Sequence, residues 1–339
     1  MSSGAANRVR TSLTPLGYRL AKWLVAFVCL GASPTAGAET IGIDARSFEL
    51  LPGEVAPRIG QLSFVAGLEL TSPDGRFGGL SGLVIEGATN RLIAVSDRGR
   101  WFTARLLRSA DGRLVGLEQG DLSPMLSLDG RTGVRGLSID AEALTREPDG
   151  SLVVAFEHRH RLWRYAFSAD PATAVPVALA SPRDLTQAPD NGGIEALVAL
   201  ATGELLAIAE ELTDGDGMLV GWLGHPGKWQ PIRYRPTGQF RPTDLALLPS
   251  GDVLVLERRF SWVGGVAARL ARLAAASIRP GAVLEGQEIA RLERPLELDN
   301  FEGLAVATHP EGGLWLYLVS DDNFNPLQRT LLLQFHLPD

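Results

Sequence analysis

The predicted fold rests on the stretch Asp299-Asn300-Phe301-Glu302-Gly303-Leu304. It is followed downstream by Leu318-Val319-Ser320-Asp321-Asp322-Asn323-Phe324. Together they combine an apolar strand that opens on a carboxylate, a glycine turn, and a second apolar strand that ends in a carboxylate cluster. Short apolar runs bounded by turns are typical of strands that are covered on both faces. The same order of features recurs along the chain.

The repeated unit is recognised by a small residue and a leucine that follow its opening residue. Its five copies open at Ser81-Gly82-Leu83, Glu142-Ala143-Leu144, Glu195-Ala196-Leu197, Thr243-Asp244-Leu245 and Glu302-Gly303-Leu304. Successive openings lie 61, 53, 48 and 59 residues apart. A third, more amphipathic strand usually follows, and a fourth can be drawn after each of the first four units.

Four strands per period of about 50 residues are the signature of a β-propeller. The sequence therefore predicts an all-β fold, a β-propeller with five or six four-stranded blades. The last unit lacks a fourth strand, and we expect Gly60–Leu70 to supply it and close the ring. Two alternatives remain open: a two-layer sandwich of short strands, and a local helix over Ala267–Ser277.

The N-terminal segment has the features of a signal peptide. An apolar run from Trp23 to Leu30 precedes the cleavage motif Ala36-Gly37-Ala38. The positive charges before it are Arg8, Arg10, Arg19 and Lys22. We therefore expect residues 1–38 to be removed by a Sec-type pathway, which leaves residues 39–339 as a single domain. That domain is predicted to be periplasmic or secreted, with no membrane span.

The composition excludes several classes of function. Loss of residues 1–38 removes four of the 32 basic residues and none of the 39 acidic ones, which leaves a net charge of −11. Such an acidic chain is not expected to bind nucleic acid. Lys22 and Lys228 are the only lysines, which disfavours a Schiff-base mechanism. We expect a monomer that acts on a small anionic or ester substrate.

The opening residues are the first candidates for a site. Innermost propeller strands run along the central channel, so equivalent positions of different blades converge. The predicted ring at one mouth consists of Ser81, Glu142, Glu195, Thr243 and Glu302. Three carboxylates and two hydroxyls suit Ca²⁺, a hard cation that takes about six to eight oxygen ligands. The alternative is that the glutamates accept backbone N–H groups at the strand starts.

A second set of candidates lies where the second strand of each unit ends, in turns rich in Asp, Glu and Arg. Such turns suit a metal-bridged phosphate, although salt-bridged surface turns are the alternative. The predicted catalytic residues are Asp97, Asp321 and Asp322, and the predicted substrate-binding residues are Arg98, Arg258 and Asn323. The predicted cation ligands are Glu142, Glu195, Glu302, Asp97 and Asp321. His158 and His160 alternate but have no third ligand nearby, so zinc is not expected.

At these residues the sequence resembles the phytase-like family, also called esterase-like activity of phytase. The stretches that carry the resemblance are Gly79–Leu83 with Ser96–Gly99, Ile139–Leu144, Asn191–Leu197, and Asn300–Leu304 with Ser320–Phe324. The resemblance covers about Gly60 to Leu337. It implies a β-propeller and hydrolysis of phosphoesters or carboxylesters. Propeller phytases use calcium ions, held by acidic residues at the channel mouth, to bind phosphate and activate water.

Three functions follow as hypotheses. The first is an exported hydrolase of phosphate or other esters that is assisted by a metal ion such as Ca²⁺. The second is a non-catalytic propeller that binds a ligand or a protein partner across the channel mouth. The third is a lactonase-like, metal-dependent hydrolase on a similar scaffold.

Overall fold

The structure is a computed structural model that describes Met1 and residues 37–132, 139–166, 170–262 and 264–339. The predicted signal peptide therefore lies outside the described residues, apart from its first and its last two positions. Among the described residues, no helix has the length and apolar character that a membrane crossing requires.

Strands account for the regular structure of the described residues, which contain no α-helix. The strands of the first half are β1 (Glu39–Thr40), β2 (Asp44–Ser47), β3 (Arg58–Ile59), β4 (Leu62–Thr71), β5 (Leu80–Glu86), β6 (Arg91–Ser96), β7 (Arg100–Arg108), β8 (Leu114–Pro124), β9 (Ala141–Arg146), β10 (Leu152–Phe156), β11 (Arg161–Tyr165) and β12 (Val177–Leu179). Those of the second half are β13 (Ile194–Ala199), β14 (Leu205–Thr213), β15 (Leu219–Gly224), β16 (Gln230–Tyr234), β17 (Arg241–Leu247), β18 (Val253–Ser261), β19 (Gly265–Leu273), β20 (Val283–Leu284), β21 (Gln287–Leu292), β22 (Asn300–Thr308), β23 (Leu314–Asp321) and β24 (Thr330–Leu337). Short 3-10 turns are Pro171–Thr173, Arg183–Gln187 and Ala275–Ser277.

The strands form five sheets, which are the blades of a propeller. From the inside outward, blade 1 is β5-β6-β7-β8 with β1, blade 2 is β9-β10-β11-β12, blade 3 is β13-β14-β15-β16 with β20, blade 4 is β17-β18-β19-β21, and blade 5 is β22-β23-β24-β4 with β2, while β3 pairs with β4. The innermost strands contact each other in a circle, because β22 packs against β5. The predicted all-β propeller is confirmed with five blades, and the sandwich alternative is wrong.

Two local predictions can be compared with the structure, one for Ala267–Ser277 and one for Gly60–Leu70. The helix considered over Ala267–Ser277 is wrong, because β19 runs to Leu273 and pairs with both β18 and β21. In blade 5, β4 pairs antiparallel with β24, from Leu70 opposite Thr330 to Ser63 opposite His336. This pairing is compatible with the predicted closure of the ring by Gly60–Leu70.

A β-bulge interrupts every innermost strand near its opening residue. The extra, unpaired residues are Gly82, Glu142, Glu195, Thr243 and Glu302. A bulge bends its strand and changes the direction of the bulged side chain. In blades 2 to 5, the opening residue therefore leaves the alternation of its strand, while the leucine two positions later stays in the core.

Leucines and one aspartate fill the axis of the propeller next to the opening residues. The five leucines of the repeat are all buried: Leu83, Leu144, Leu197, Leu245 and Leu304. Asp244 has no exposed surface, and its carboxylate accepts the N–H groups of Leu245 (2.8 Å) and Leu304 (2.6 Å). The Leu83 N–H is a third donor. Burial raises the pKa of Asp244 well above its usual range, against the effect of these hydrogen bonds.

The Asp244 carboxylate therefore ties β17 to β22 and β5, and its loss is expected to destabilise the ring. Asp244→Ala leaves buried N–H groups of Leu304 and Leu83 without an acceptor, at a cost of about 1–3 kcal/mol for each. We expect the free energy of unfolding in urea to fall by at least about 2 kcal/mol. Asp216→Ala, which removes a side chain that is 79% exposed, is the control and should change it little. Equal effects of the two substitutions would contradict this role of Asp244.

Candidate functional site

A cavity of about 260 Å³ lies at the channel mouth, on the side of the opening residues. Of the residues that the structure describes, eight carboxylates, one arginine, one histidine and two asparagines form its wall, and every blade contributes. These residues are Asp97, Asp140, Glu142, Glu157, Glu195, Glu210, Glu302 and Asp321, with Arg258, His158, Asn191 and Asn323. We call this space the acidic cavity.

The opposite end of the innermost strands carries a second cavity of about 210 Å³. Four of the five repeat leucines line it, and it shares no lining residue with the acidic cavity. The buried leucines and Asp244 separate the two spaces. A ligand therefore reaches the carboxylates from one face of the propeller.

The opening residues converge largely as predicted from the repeat. Glu142, Glu195 and Glu302 line the acidic cavity. The Ser81 hydroxyl lies 3.2 Å from Glu142 Oε2 and 3.3 Å from Glu302 Oε2. Thr243 differs, because its hydroxyl donates to backbone carbonyls and does not line the cavity. Within the described residues, no backbone N–H donates to the three glutamates, so the strand-cap alternative does not describe them.

Two predicted strand-end aspartates also line the acidic cavity. Asp97 accepts a hydrogen bond from the Ser96 hydroxyl at 3.2 Å. Asp321 is only 4% exposed and accepts the N–H of Asn323 at 2.6 Å. Asn323 lines the cavity as well, with a backbone φ of 48° that turns the chain sharply after β23.

Among the described residues, Arg258 is the only arginine in the wall of the acidic cavity. Its Nε lies 3.3 Å from Glu302 Oε1, and its Nη2 lies 3.4 Å from Glu210 Oε1. Burial lowers the pKa of Arg258, but Glu302, Glu195, Glu210 and Asp321 outweigh that effect and raise it overall. The guanidinium is therefore a permanent positive charge among carboxylates.

Two of the strand-end candidates also lie outside the wall of the acidic cavity, Asp322 and Arg98. The Asp322 carboxylate accepts the N–H groups of Gly79 (2.8 Å) and Phe324 (3.1 Å) and the Thr330 hydroxyl (3.1 Å). Asp322 thus joins blade 5 to the chain that enters blade 1. The exposed Arg98 guanidinium stacks on the Phe324 ring, 3.2 Å from its centroid. Asp322 belongs to the loop after β23, and Arg98 contacts Phe324 of the same loop. The sequence pattern did not reveal these contacts.

Five wall residues were not among the predicted site residues: Asp140, Glu157, His158, Asn191 and Glu210. Glu157 and Glu210 end the apolar runs of their blades, so the strand-end rule that selected Asp97 and Asp321 also reaches them. Asp140 and Asn191 precede opening glutamates by a few residues. Asp140 and Asn191 reach the wall because of the path by which the chain enters each blade, and the repeat does not predict that path.

Burial and mutual repulsion raise the pKa values of the clustered carboxyls. Burial first, then the Glu302 charge, raises the pKa of Asp321 to about 9. Burial also raises the pKa of Asp97 to about 6, with a further contribution from Asp140. The pKa of Glu142 lies well above its usual range, because it is buried and faces Glu302.

The same forces act on the remaining glutamates of the ring. Burial and the neighbouring Glu210 raise the pKa of Glu195 well above its usual range, although Arg258 opposes this. For Glu302, burial raises the pKa, and Arg258 and the Asn300 side-chain N–H (2.7 Å) lower it in part. Ionisation of all these carboxyls together is therefore unfavourable at neutral pH unless a proton or another positive charge compensates it.

The donor chemistry of the acidic cavity matches a hard cation. Ser81 has one hydroxyl hydrogen for two carboxylate oxygens, so one of these contacts lacks a donor unless a proton or a cation intervenes. Oxygen-only donors of this kind suit Ca²⁺. Across the ranges that the structure describes, however, no three His, Cys, Asp or Glu side chains are assembled in the geometry of a metal site. The donors fit the ion in kind, and their positions are not arranged around one.

Comparisons with solved structures give several likenesses of shape. A protein provisionally named a gluconolactonase is 14% identical, with a TM-score of 0.46, and the match covers 88% of this chain and 95% of that chain. The PQQ-bound aldose sugar dehydrogenase of Streptomyces coelicolor is 11% identical, with a TM-score of 0.43, covering 87% and 98%. Virginiamycin B lyase of Staphylococcus aureus is 10% identical, with a TM-score of 0.40, covering 86% and 99%. At such low identities and TM-scores, these likenesses do not inform the activity.

Fold and site together define a five-bladed propeller with a polyacidic channel mouth. A family model described as "Phytase-like: Esterase-like activity of phytase" matches residues 75–324. The chain belongs to this phytase-like family, as the repeated motifs predicted. No curated protein matches the sequence significantly.

The raised carboxyl pKa values predict how stability depends on pH. A carboxyl whose pKa is higher in the folded state than its unfolded value of about 4 keeps its proton longer when folded. Stability is therefore fully present below the unfolded pKa and is lost as pH rises through the folded pKa, near 6 for Asp97 and near 9 for Asp321. With EDTA present, we expect the free energy of unfolding to fall from pH 5 to pH 9.

Variants identify the source of this pH dependence. Asp321→Asn removes one of the responsible groups and is expected to reduce the fall between pH 5 and pH 9. Asp216→Asn, at an exposed position, should leave it unchanged. Urea unfolding at pH 5, 7 and 9 measures the effect, and a stability that rises over this range would contradict the predicted protonation of the acidic cavity.

Proposed function

We propose that this protein is an exported hydrolase of phosphate or other small esters, acting in the acidic cavity with the help of a divalent cation such as Ca²⁺. The observation that carries the proposal is the convergence of eight carboxylates and one arginine on a single cavity of about 260 Å³. Membership of the phytase-like family supports the reaction class.

The proposed cation ligands are Glu142, Glu195, Glu302, Asp97 and Asp321, all in the wall of the acidic cavity. A divalent ion held by these residues would supply charge stabilisation in the transition state and would lower the pKa of a nearby water molecule. It also relieves the repulsion that raises the pKa values of these carboxyls. This set keeps every ligand that the repeat predicted.

Electrostatics separates anionic from neutral substrates. Those of the eight carboxyl groups that are ionised repel a phosphate ester, and Arg258, which two glutamates already flank, offsets only part of that charge. A phosphate ester is therefore expected to bind only when a cation is present. A neutral carboxyl ester or lactone meets no such repulsion, and this favours lactonase-like hydrolysis as the second candidate.

Individual side chains take separate roles in the proposal. In the absence of the cation, Asp97, with a pKa of about 6, can accept or release a proton near neutral pH. Arg258 and Asn323 are placed to contact an anionic group of the substrate. Arg98 and Asp322 lie outside the wall, and we assign them to holding the loop after β23.

We also propose that residues 39–339 form one exported monomeric domain whose ring is closed by β4. When the full chain is produced in a Gram-negative host, the protein is expected in the periplasm or medium with Glu39 as its first residue. Leu24→Arg interrupts the apolar run of the signal and should hold the uncleaved chain in the cytoplasm. Cell fractionation and N-terminal sequencing check both expectations.

Cation binding is tested on the mature protein after dialysis against EDTA. We expect Ca²⁺ to raise the melting temperature, since a ligand that binds only the folded state adds about 2.7 kcal/mol at 100 times its dissociation constant. Glu302→Gln and Glu195→Gln are expected to reduce this shift strongly. Glu204→Gln, at an exposed turn, is the control. The absence of bound metal and of any shift would remove the metal-assisted proposal.

Measurements of turnover on different substrates then distinguish the proposed functions. With Ca²⁺ present, nitrophenyl phosphate, phytate, a nitrophenyl carboxylester and a lactone are compared as substrates. We expect Glu302→Gln to lower kcat/KM by about a hundredfold or more, because it weakens charge stabilisation in the transition state. A protein that binds the cation but hydrolyses none of these substrates would be the non-catalytic binding propeller.

A further inference from the structure

One histidine and one aspartate form a pair in the wall of the acidic cavity. His158 Nε2 lies 2.9 Å from Asp140 Oδ2, and both residues line the cavity. The His158 side chain is 44% exposed, so solvent and ligand reach it. Among the residues that the structure describes, none forms a hydrogen bond with its Nδ1.

The fold holds His158 in an uncommon backbone conformation. Its φ is 56°, the left-handed region that few residues other than glycine adopt. Its N–H donates to the Asp190 carbonyl at 3.0 Å. The preceding Glu157 accepts the N–H groups of Gly192 (2.6 Å) and Gly193 (2.7 Å). The turn between β10 and β11 is thus clamped to the segment before β13, and a strained residue fixed in this way is often functional.

Rigid placement matters for the chemistry of an imidazole. When Nε2–H donates to the Asp140 carboxylate, the neutral ring carries its basic lone pair on Nδ1. A carboxylate that binds one nitrogen therefore fixes which nitrogen can accept a proton. Other charged groups that share this part of the wall are Glu157 and Asp97.

We infer that His158 is the proton-transfer group for ester hydrolysis in the acidic cavity, and that Asp140 positions it. This inference rests on the function proposed above. Nδ1 takes a proton from water as the water oxygen bonds to the phosphorus or acyl carbon of the ester. The bond from that atom to the leaving oxygen breaks, and the imidazolium returns the proton to the leaving alkoxide. Water and ester become acid and alcohol, and His158 ends neutral.

His160 provides a matched control in the same turn. Its Nε2 lies 2.8 Å from the Pro189 carbonyl, its Nδ1 is buried, and it does not line the acidic cavity. His158→Gln keeps an N–H that can reach Asp140 but has no basic nitrogen. His160→Gln makes the same chemical change two residues away.

Kinetics of these variants test the inference on the ester that the wild type hydrolyses best. We expect His158→Gln to lower kcat by about 10²–10⁴-fold with little change in KM or melting temperature. His160→Gln should keep the wild-type kcat. Added imidazole is expected to restore part of the activity of His158→Ala. Wild-type turnover together with an unchanged kcat for His158→Gln would overturn the inference and leave the proposed hydrolase intact.

A second measurement does not depend on activity. The chain has five histidines, so ¹⁵N-histidine NMR gives few signals, and the His158→Gln spectrum assigns that of His158. We expect the neutral His158 ring to carry its proton on Nε2, and Asp140→Asn to convert it to a mixture of tautomers. A proton on Nδ1 in the wild type would overturn the inference. A wild type that hydrolyses no ester would overturn the proposed function and this inference together.

Discussion

The hydrogen bonds that the Asp244 carboxylate accepts on the propeller axis are the constraint on which the rest of the structure depends. They connect innermost strands of three blades at a point where the carboxylate has no exposed surface. The five repeat leucines pack around them and close the channel. Because the axis is filled, the space at the mouth is a closed-ended cavity and not a pore.

In the acidic cavity, the packing of the strands and the electrostatics of the carboxylates oppose each other. Bulges turn Glu142, Glu195 and Glu302 out of the alternation of their strands. The same geometry buries like charges against each other, which raises the pKa values of their carboxyls. A protein that keeps such an arrangement gives up stability at neutral and alkaline pH, unless a proton or a cation compensates. That cost is the physical basis for the proposed binding of a cation.

The wall of the acidic cavity divides into two chemically different parts. Arg258, Glu210 and Glu302 form a charge cluster toward blades 3, 4 and 5. Asp140 and His158 form a close pair on blade 2, in which His158 Nε2 lies 2.9 Å from Asp140 Oδ2. In the proposed ester hydrolysis, Arg258 at the first part would bind the substrate and His158 at the second would transfer a proton.

The sequence alone determined the fold class and much of the lining of the acidic cavity. A small residue and a leucine follow each opening residue, and this recurrence implied that the innermost strands are equivalent. Equivalent strands in turn implied that Glu142, Glu195 and Glu302 meet at one mouth of the channel. Tertiary structure decided the rest, because side chains in turns point where the local backbone directs them. Positive φ angles at His158 and Asn323 bring these residues into the cavity wall, whereas stacking on Phe324 keeps Arg98 out of it. No periodicity encodes such angles, since each turn is fixed by contacts with a neighbouring blade.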